Sequence, residues 1–327
     1  MKAVIVTPAP RGSRHGNRNT AVRWARHLRA LGHRVEVAVE WHGEPYDLMI
    51  ALHARRSHRA IAAWKTRFRD RPLVVVLTGT DLYRDIRTDA SAQTSLALAD
   101  RLVVLQERGL DELEPALRAK TAVIYQSVAT HLRHSPPARG FLVTVVGHLR
   151  EEKDPFRAAV ALRHLPATAS IRIVQLGKAM DEAFRREARE RAAADARYRW
   201  LGEVDHARAL RWLARSHAMV ISSRMEGGAH VVSEAIALGV PVIASRIAGN
   251  TGLLGDDYPG YFPVGDDAAL AVLLDRAMSD NAFLEGLGQC VQRRRALVEP
   301  AAERARLAAL VDALGGRKAP RPKEKQA

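Results

Sequence analysis

Short aliphatic runs recur along this chain at intervals that few architectures accommodate. In its first part they occupy residues 3–6, 35–39, 47–52, 73–77, 102–105 and 123–125. Longer amphipathic stretches lie between most of them, at 20–31, 57–68 and 107–118. A continuous Val/Ile/Leu run has no polar face, so as a strand it must be covered on both sides. Such strands alternating with helices imply a parallel sheet between two helical layers.

The alternation stops at residues 128–140, VATHLRHSPPARG, where Pro136 and Pro137 interrupt any apolar period. This predicts a linker. Strand-like runs resume at 141–146, 171–176, 219–222 and 240–244, with helices expected over 205–215 and 229–238. Asp154 and Pro155 predict a helix start, with the aspartate as N-cap and the proline at the first helical position. Past residue 266 only helical patterns remain, and residues 317–327 read as a basic disordered tail. The expected fold is α/β, with two Rossmann-like doubly wound domains facing a central cleft. The N-terminal one is assigned 1–134 and the C-terminal one 135–316.

Charge narrows the partners. Lys and Arg number 51 against 36 Asp and Glu, a net charge of +15. That balance favours anions. The cations are spread along the chain and mixed with Glu, as over 184–191, and no basic stretch is interleaved with stacking aromatics. A small phosphorylated substrate is therefore expected rather than nucleic acid. Cys290 is the single cysteine, which excludes an intrachain disulfide and a cysteine-based zinc site. No run approaches the ~18 apolar residues of a membrane span, and Val4-Ile5-Val6 is too short for a targeting core. A soluble, cytoplasmic protein with no membrane partner is expected. Asp-x-Asp, Walker, Gly-x-Gly-x-x-Gly and Gly-x-Ser-x-Gly patterns are absent. His131 and His134 lie in the linker, and no metal or other cofactor is expected.

Residues 222–234, SSRMEGGAHVVSE, concentrate the chemistry. Gly227 and Gly228 form a turn, and a helix is expected from about Ala229, through His230 and Val231. Its first amides lack intrahelical partners and carry the positive end of the dipole, a place for a diphosphate. Glu226 precedes the turn and Glu234 follows on the helix. Carboxylates accept hydrogen bonds from sugar hydroxyls strongly, so one suits a hexose and the other a ribose. Taken alone, the same pattern also fits an ordinary acidic helix start.

In the N-terminal half, the loop after the first strand carries Arg11, Gly12, Arg14, Gly16, Asn17 and Arg18. Glycines and arginines between a strand and a helix suggest an anion cradle. The third strand leads to His53, a donor to a reacting sugar, and to Arg55, an anion ligand. The fourth leads to Thr78, Thr80 and Asp81. Asp81 either orients an acceptor or caps the turn, and the two threonines chiefly shape it.

The segment with Glu226, Glu234 and AIALGVPVIAS, ending at Ser245, resembles retaining glycosyltransferases of the GT-B fold, the family 4-like group that includes sucrose and glycogen synthase-like enzymes. VGHLREEKDP, with Gly147, Leu149 and Lys153, is similar to that family's Gly-Arg-Leu segment and following lysine. The resemblance implies that Lys153 neutralises the leaving diphosphate of a nucleotide-sugar. His148 stands where the family has arginine, and Arg150 is two residues on. TPAPRGSRHGNRNTAVRWARHLRALGH, ALHARRS, LTGTDLYRDI, ADRLVVLQ and VIYQS resemble the selenosugar synthases of selenoneine biosynthesis. That narrower resemblance implies UDP-GlcNAc or UDP-glucose as donor and selenophosphate as acceptor. It implies attack by selenium on the anomeric carbon, with UDP and phosphate released. A conventional transferase acting on a glycan or lipid hydroxyl is the alternative, and a non-catalytic nucleotide-sugar-binding module is another.

Overall fold

A computed structural model describes residues 1–13 and 16–315. The chain forms two compact units, Met1–Tyr125 with the segment from Ala301 onward, and Gln126–Pro300.

The first unit is built on a six-stranded sheet of β1 (Lys2–Val6), β2 (Arg34–Ala38), β3 (Leu48–Leu52), β4 (Leu73–Leu77), β5 (Arg101–Val104) and β6 (Thr121–Val123), in the order β2-β1-β3-β4-β5-β6. All neighbours are parallel. Every residue of β3 and β4 is buried, as runs without a polar face require. One face packs on Trp64, Leu96 and Leu82; the other on Trp24 and Leu28 of helix Gly16–Ala30 and on Leu307, Leu310 and Val311 of helix Pro300–Gly315. Burial of each large side chain there contributes roughly 1.5–3 kcal/mol.

Helix Pro300–Gly315 is also held by a buried carboxylate. Glu303 accepts from Trp24 Nε1 at 2.7 Å and Arg23 Nε at 2.9 Å, with His27 Nε2 at 3.3 Å. The sequence places the domain boundary at 134/135 and leaves this helix with the second domain. The compact units part between Tyr125 and Gln126, and the helix belongs to the first from Ala301. An amphipathic period does not name the surface its apolar face will cover; Leu307 and Glu303 find theirs on helix Gly16–Ala30.

The second unit holds β7 (Phe141–Val146), β8 (Ile171–Leu176), β9 (Tyr198–Trp200), β10 (Ala218–Ile221), β11 (Val242–Ser245) and β12 (Tyr261–Phe262), all parallel, in the order β12-β11-β10-β7-β8-β9. Read from the β9 edge, this is the 3-2-1-4-5-6 order of dinucleotide-binding sheets.

Two local expectations change. The strand expected at 123–125 is β6, two residues earlier. The helix expected at 107–118 is a 3-10 turn, Glu107–Leu110, and a short helix, Pro115–Arg118. Gly109 lies so close to β5 that a Cβ would sit 2.9 Å from Val104 Cβ, which holds the chain off a helical path, and Pro115 restarts it. Edge strands β9 and β12 are too short to register as apolar runs. Among the described residues no helix is long and apolar enough to cross a membrane.

Candidate functional site

The second sheet reverses its winding between β7 and β10, and open parallel sheets bind ligands beyond the C-terminal strand ends at that point. The loop after β7 brings Gly147, His148, Arg150 and Lys153; the loop after β10 brings Ser222, Ser223 and Glu226. Hydrogen bonds staple the two together. Ser222 Oγ donates to the Asp154 carbonyl at 2.8 Å, and the Arg224 amide donates to the Glu152 carbonyl at 2.9 Å. From β11, Ser245 Oγ donates to the Ser223 carbonyl at 2.6 Å.

Held this way, Lys153 Nζ forms an ion pair with Glu226 Oε1, and Ser223 Oγ donates to the same oxygen at 2.7 Å. The Glu226 side chain is 9% exposed and that of Lys153 21%, so water screens the pair little. Gly147, His148, Lys153, Ser222 and Ser223 line one pocket. His148 Nδ1 accepts from the Lys178 amide at 3.3 Å. Arg150 is exposed, its Nε 3.8 Å from Glu152 Oε2, and does not line the pocket.

Asp154 corrects the sequence expectation of an N-cap. It adopts a left-handed backbone, φ 43°, and ends the 3-10 turn Glu151–Lys153; the following helix is Arg157–Ala161 with Phe156 before it. Asp tolerates this conformation better than most residues. Its carboxylate instead accepts from Arg157 Nε at 2.9 Å, and Arg157 also reaches Asp267 at 3.0 Å. Lys153 is thereby placed at the end of a braced turn rather than on a helix.

Beyond Glu226, Gly227 is buried and Gly228 half-buried. Helix His230–Leu238 starts with Ala229 at the N-cap, with no side-chain cap and no acid in its first turn. The positive end of its dipole is thus not offset by a carboxylate there. Val231 is half-buried and Glu234 buried. Glu234 Oε1 lies 2.7 Å from His206 Nε2 and 3.6 Å from His230 Nε2. The hydrogen bond to Glu234 holds the His206 pKa above the usual histidine range, against the opposing effect of burial.

Ser222, His206 and Arg157 escaped sequence reasoning, because each acts through a partner remote in the chain; Ser223, three residues before Glu226, was given no role of its own. Two glycines escaped it too. A Cβ on Gly249 would lie 2.1 Å from the Glu226 carbonyl oxygen, and one on Gly177 1.9 Å from that of Gly147. Both loops rest on backbone that admits no side chain.

In the first unit the sheet reverses between β1 and β3. His53, at the end of β3, is a non-glycine residue with φ 74°, and its ring is 3% exposed. Nδ1 accepts from the Arg56 amide at 3.3 Å, which assigns the proton to Nε2, donating to Thr80 Oγ1 at 3.1 Å. Burial lowers its pKa, although Asp81 opposes this. Asp81 caps the turn. Its Oδ1 accepts from the amides of Thr78 and Gly79 at 2.9 and 2.8 Å, and its Oδ2 from Ala54 at 3.0 Å. Arg55 donates to Asp85 at 2.8 Å. His53, Thr78, Thr80 and Asp81 thus form one connected group, and Arg55 pairs with Asp85 beside it.

Along the β1 loop, Arg11 is exposed and Gly12 has φ 83°. Asn17 and Arg18 sit half-buried in the first turn of helix Gly16–Ala30. Gly16 opens that helix with nothing within 4 Å of a Cβ, so no close approach requires its lack of a side chain. Arg14 lies outside the described residues.

Residues 131–299 match the family described as Glycosyl transferases group 1, more than half of the chain. The chain belongs to this family. A relative in Xenopus tropicalis, Glycosyltransferase 1 domain-containing protein 1, is 24% identical over 273 residues, 75% of this chain and 79% of that protein. Sucrose-phosphate synthase from Thermosynechococcus elongatus superposes with a TM-score of 0.81 at 18% identity, covering 96% of this chain and 99% of that one. Anabaena HepE, solved in complex with UDP-glucose, does so with 0.77 at 16% identity, covering 96% and 100%. These likenesses show the GT-B fold, built here from two Rossmann-like parallel sheets. The protein is a glycosyltransferase.

Proposed function

We propose that this glycosyltransferase takes a UDP-sugar, UDP-GlcNAc or UDP-glucose, in its second unit. The observation that carries this is the Lys153–Glu226–Ser223 cluster at the switch point of the second sheet. Lys153 meets the diphosphate, whose charge grows as the bond from anomeric carbon to phosphate oxygen breaks, and a fixed cation stabilises that charge in the transition state. The amides from Gly227 to His230 and the dipole behind them hold the same group. Glu226 takes sugar hydroxyls and Glu234 the ribose. His148 lines the pocket with Lys153, which favours it over exposed Arg150 as a second hydrogen-bond donor to the diphosphate. HepE, itself solved with UDP and with UDP-glucose, supports the choice of nucleotide.

For the acceptor, the solved relatives favour a hydroxyl. One of them, the lipopolysaccharide outer core galactosyltransferase WaaB, superposes with a TM-score of 0.71 at 15% identity. A second reading, selenophosphate, is favoured by Arg11 and Gly12 ahead of helix Gly16–Ala30, whose first turn carries Arg18 and no acid, and by the narrower sequence resemblance. In that reaction selenium forms a bond to C1 as the C1–O bond to UDP breaks. Water then cleaves the P–Se bond, releasing phosphate and a 1-seleno-sugar.

Purified protein incubated with each UDP-sugar and either selenophosphate or a carbohydrate acceptor distinguishes these readings. UDP release is expected in both, and mass spectrometry of the product reads the acceptor. A selenium-containing sugar supports the second reading and an O-glycoside the first. Failure to release UDP with any acceptor, together with failure to bind UDP, overturns the donor assignment.

A further inference from the structure

Glu234 has two imidazole neighbours that nucleotide-sugar transfer does not account for. His206 is the first residue of helix His206–Ala214, whose N-cap Asp205 accepts from the Arg208 amide at 2.7 Å. His230 is the first residue of helix His230–Leu238, and Glu234 stands one turn later on the same face. These two helices pack together. One ligand atom from each of the three residues lies within 4.8 Å of the others.

Two imidazoles and a carboxylate are the donor set of a zinc-class cation bound by three protein ligands with a position left open. Metal-to-ligand bonds of about 2.0–2.2 Å place tetrahedral ligand atoms about 3.4 Å apart. The His230–Glu234 separation, 3.6 Å, is already close to that, and the His206–Glu234 hydrogen bond, 2.7 Å, opens as a cation replaces the shared proton. The cluster is graded for access. The Glu234 side chain is 7% exposed, His230 26% and His206 66%, so a hydrated ion reaches the outer imidazole first. The exposed helix-end position of His206 also gives it room to adjust.

We propose that His206, His230 and Glu234 bind a divalent transition-metal cation of the zinc class, and that the bound ion competes with the nucleotide-sugar for Glu234. The competition rests on the assignment of Glu234 to the ribose; the metal site does not. The ion inhibits, because a carboxylate ligating it no longer offers its lone pairs to ribose hydroxyls.

Cobalt(II) titrated into metal-free full-length protein tests both parts, since its visible absorption is intense only at low coordination number. Intense, saturable absorption is expected in wild type. It is expected to vanish in His206→Ala and in Glu234→Gln, with far-ultraviolet circular dichroism confirming that both variants fold. Absorption as weak as aqueous cobalt, or intense absorption that survives in both folded variants, overturns the site. Saturating UDP is expected to weaken cobalt binding at least about tenfold. An intact site indifferent to UDP overturns the competition. UDP binding measured by calorimetry without metal separates that failure from failure of the donor reading itself.

Discussion

Lys153 and Glu226 lie 73 positions apart in the chain and form an ion pair, and the carboxylate oxygen that joins them also accepts from Ser223 at 2.7 Å. The pair links the two loops of the second sheet's switch point. In the proposed donor site it supplies the cation that meets the departing diphosphate and the carboxylate that accepts from a sugar hydroxyl.

Lys153→Ala is expected to lower kcat by about 10²–10³-fold, the usual cost of deleting one fixed group that stabilises transition-state charge. The fold persists, because Ser222, Arg224 and Ser245 keep the two loops tied. Steady-state kinetics at saturating donor and circular dichroism check both halves. A kcat equal to wild type contradicts the role.

Gly249→Ala tests the support beneath Glu226. A Cβ there would stand 2.1 Å from the Glu226 carbonyl oxygen and 2.7 Å from its Cβ, so Glu226 must shift. Misplacement of about 1 Å costs roughly 10²-fold, and kcat/KM is expected to fall by that order while the protein stays soluble. Unchanged kinetics would mean that the position of Glu226 does not matter.

The two sheets were legible because their central strands are buried on both faces and so carry unbroken aliphatic runs, as in β3 and β4. Glu226, Glu234 and Lys153 of the proposed donor site were singled out through spacing and resemblance. The remainder depends on contacts that no local pattern encodes. Gly249 is required by the backbone of Glu226, His206 meets Glu234 from another helix, and Glu303 returns to Trp24 from 279 positions away. Asp154-Pro155 misled because an aspartate before a proline reads as a cap, whereas Asp154 ends a turn in a left-handed conformation.

Glu303→Ala is expected to destabilise the first unit by about 3–5 kcal/mol, because it leaves the Arg23 guanidinium buried without its carboxylate. Trp24 Nε1 loses its acceptor too. Glu303→Gln keeps an acceptor for Trp24 and is expected to cost less. Urea unfolding followed by Trp fluorescence measures both. Equal stability of Glu303→Ala and wild type contradicts the anchoring role.

His53 makes the first unit acid-sensitive. Burial lowers its folded pKa below the ordinary 6.5. As pH falls through about 6.5, the unfolded chain takes up a proton here and the folded chain does not, so stability declines toward the folded pKa; above about 6.5 nothing is lost. His53→Asn, a residue that tolerates the positive φ, is expected to flatten the decline between about pH 7.5 and about pH 5.5. An identical slope in wild type and variant contradicts the assignment.

The donor site is tested most directly by calorimetric titration of UDP into wild-type protein and into Glu234→Gln. Saturable binding to wild type, weakened at least about tenfold in the variant, is predicted from the loss of a charged acceptor to the ribose. No binding to wild type, or equal affinity in the two proteins, would contradict it.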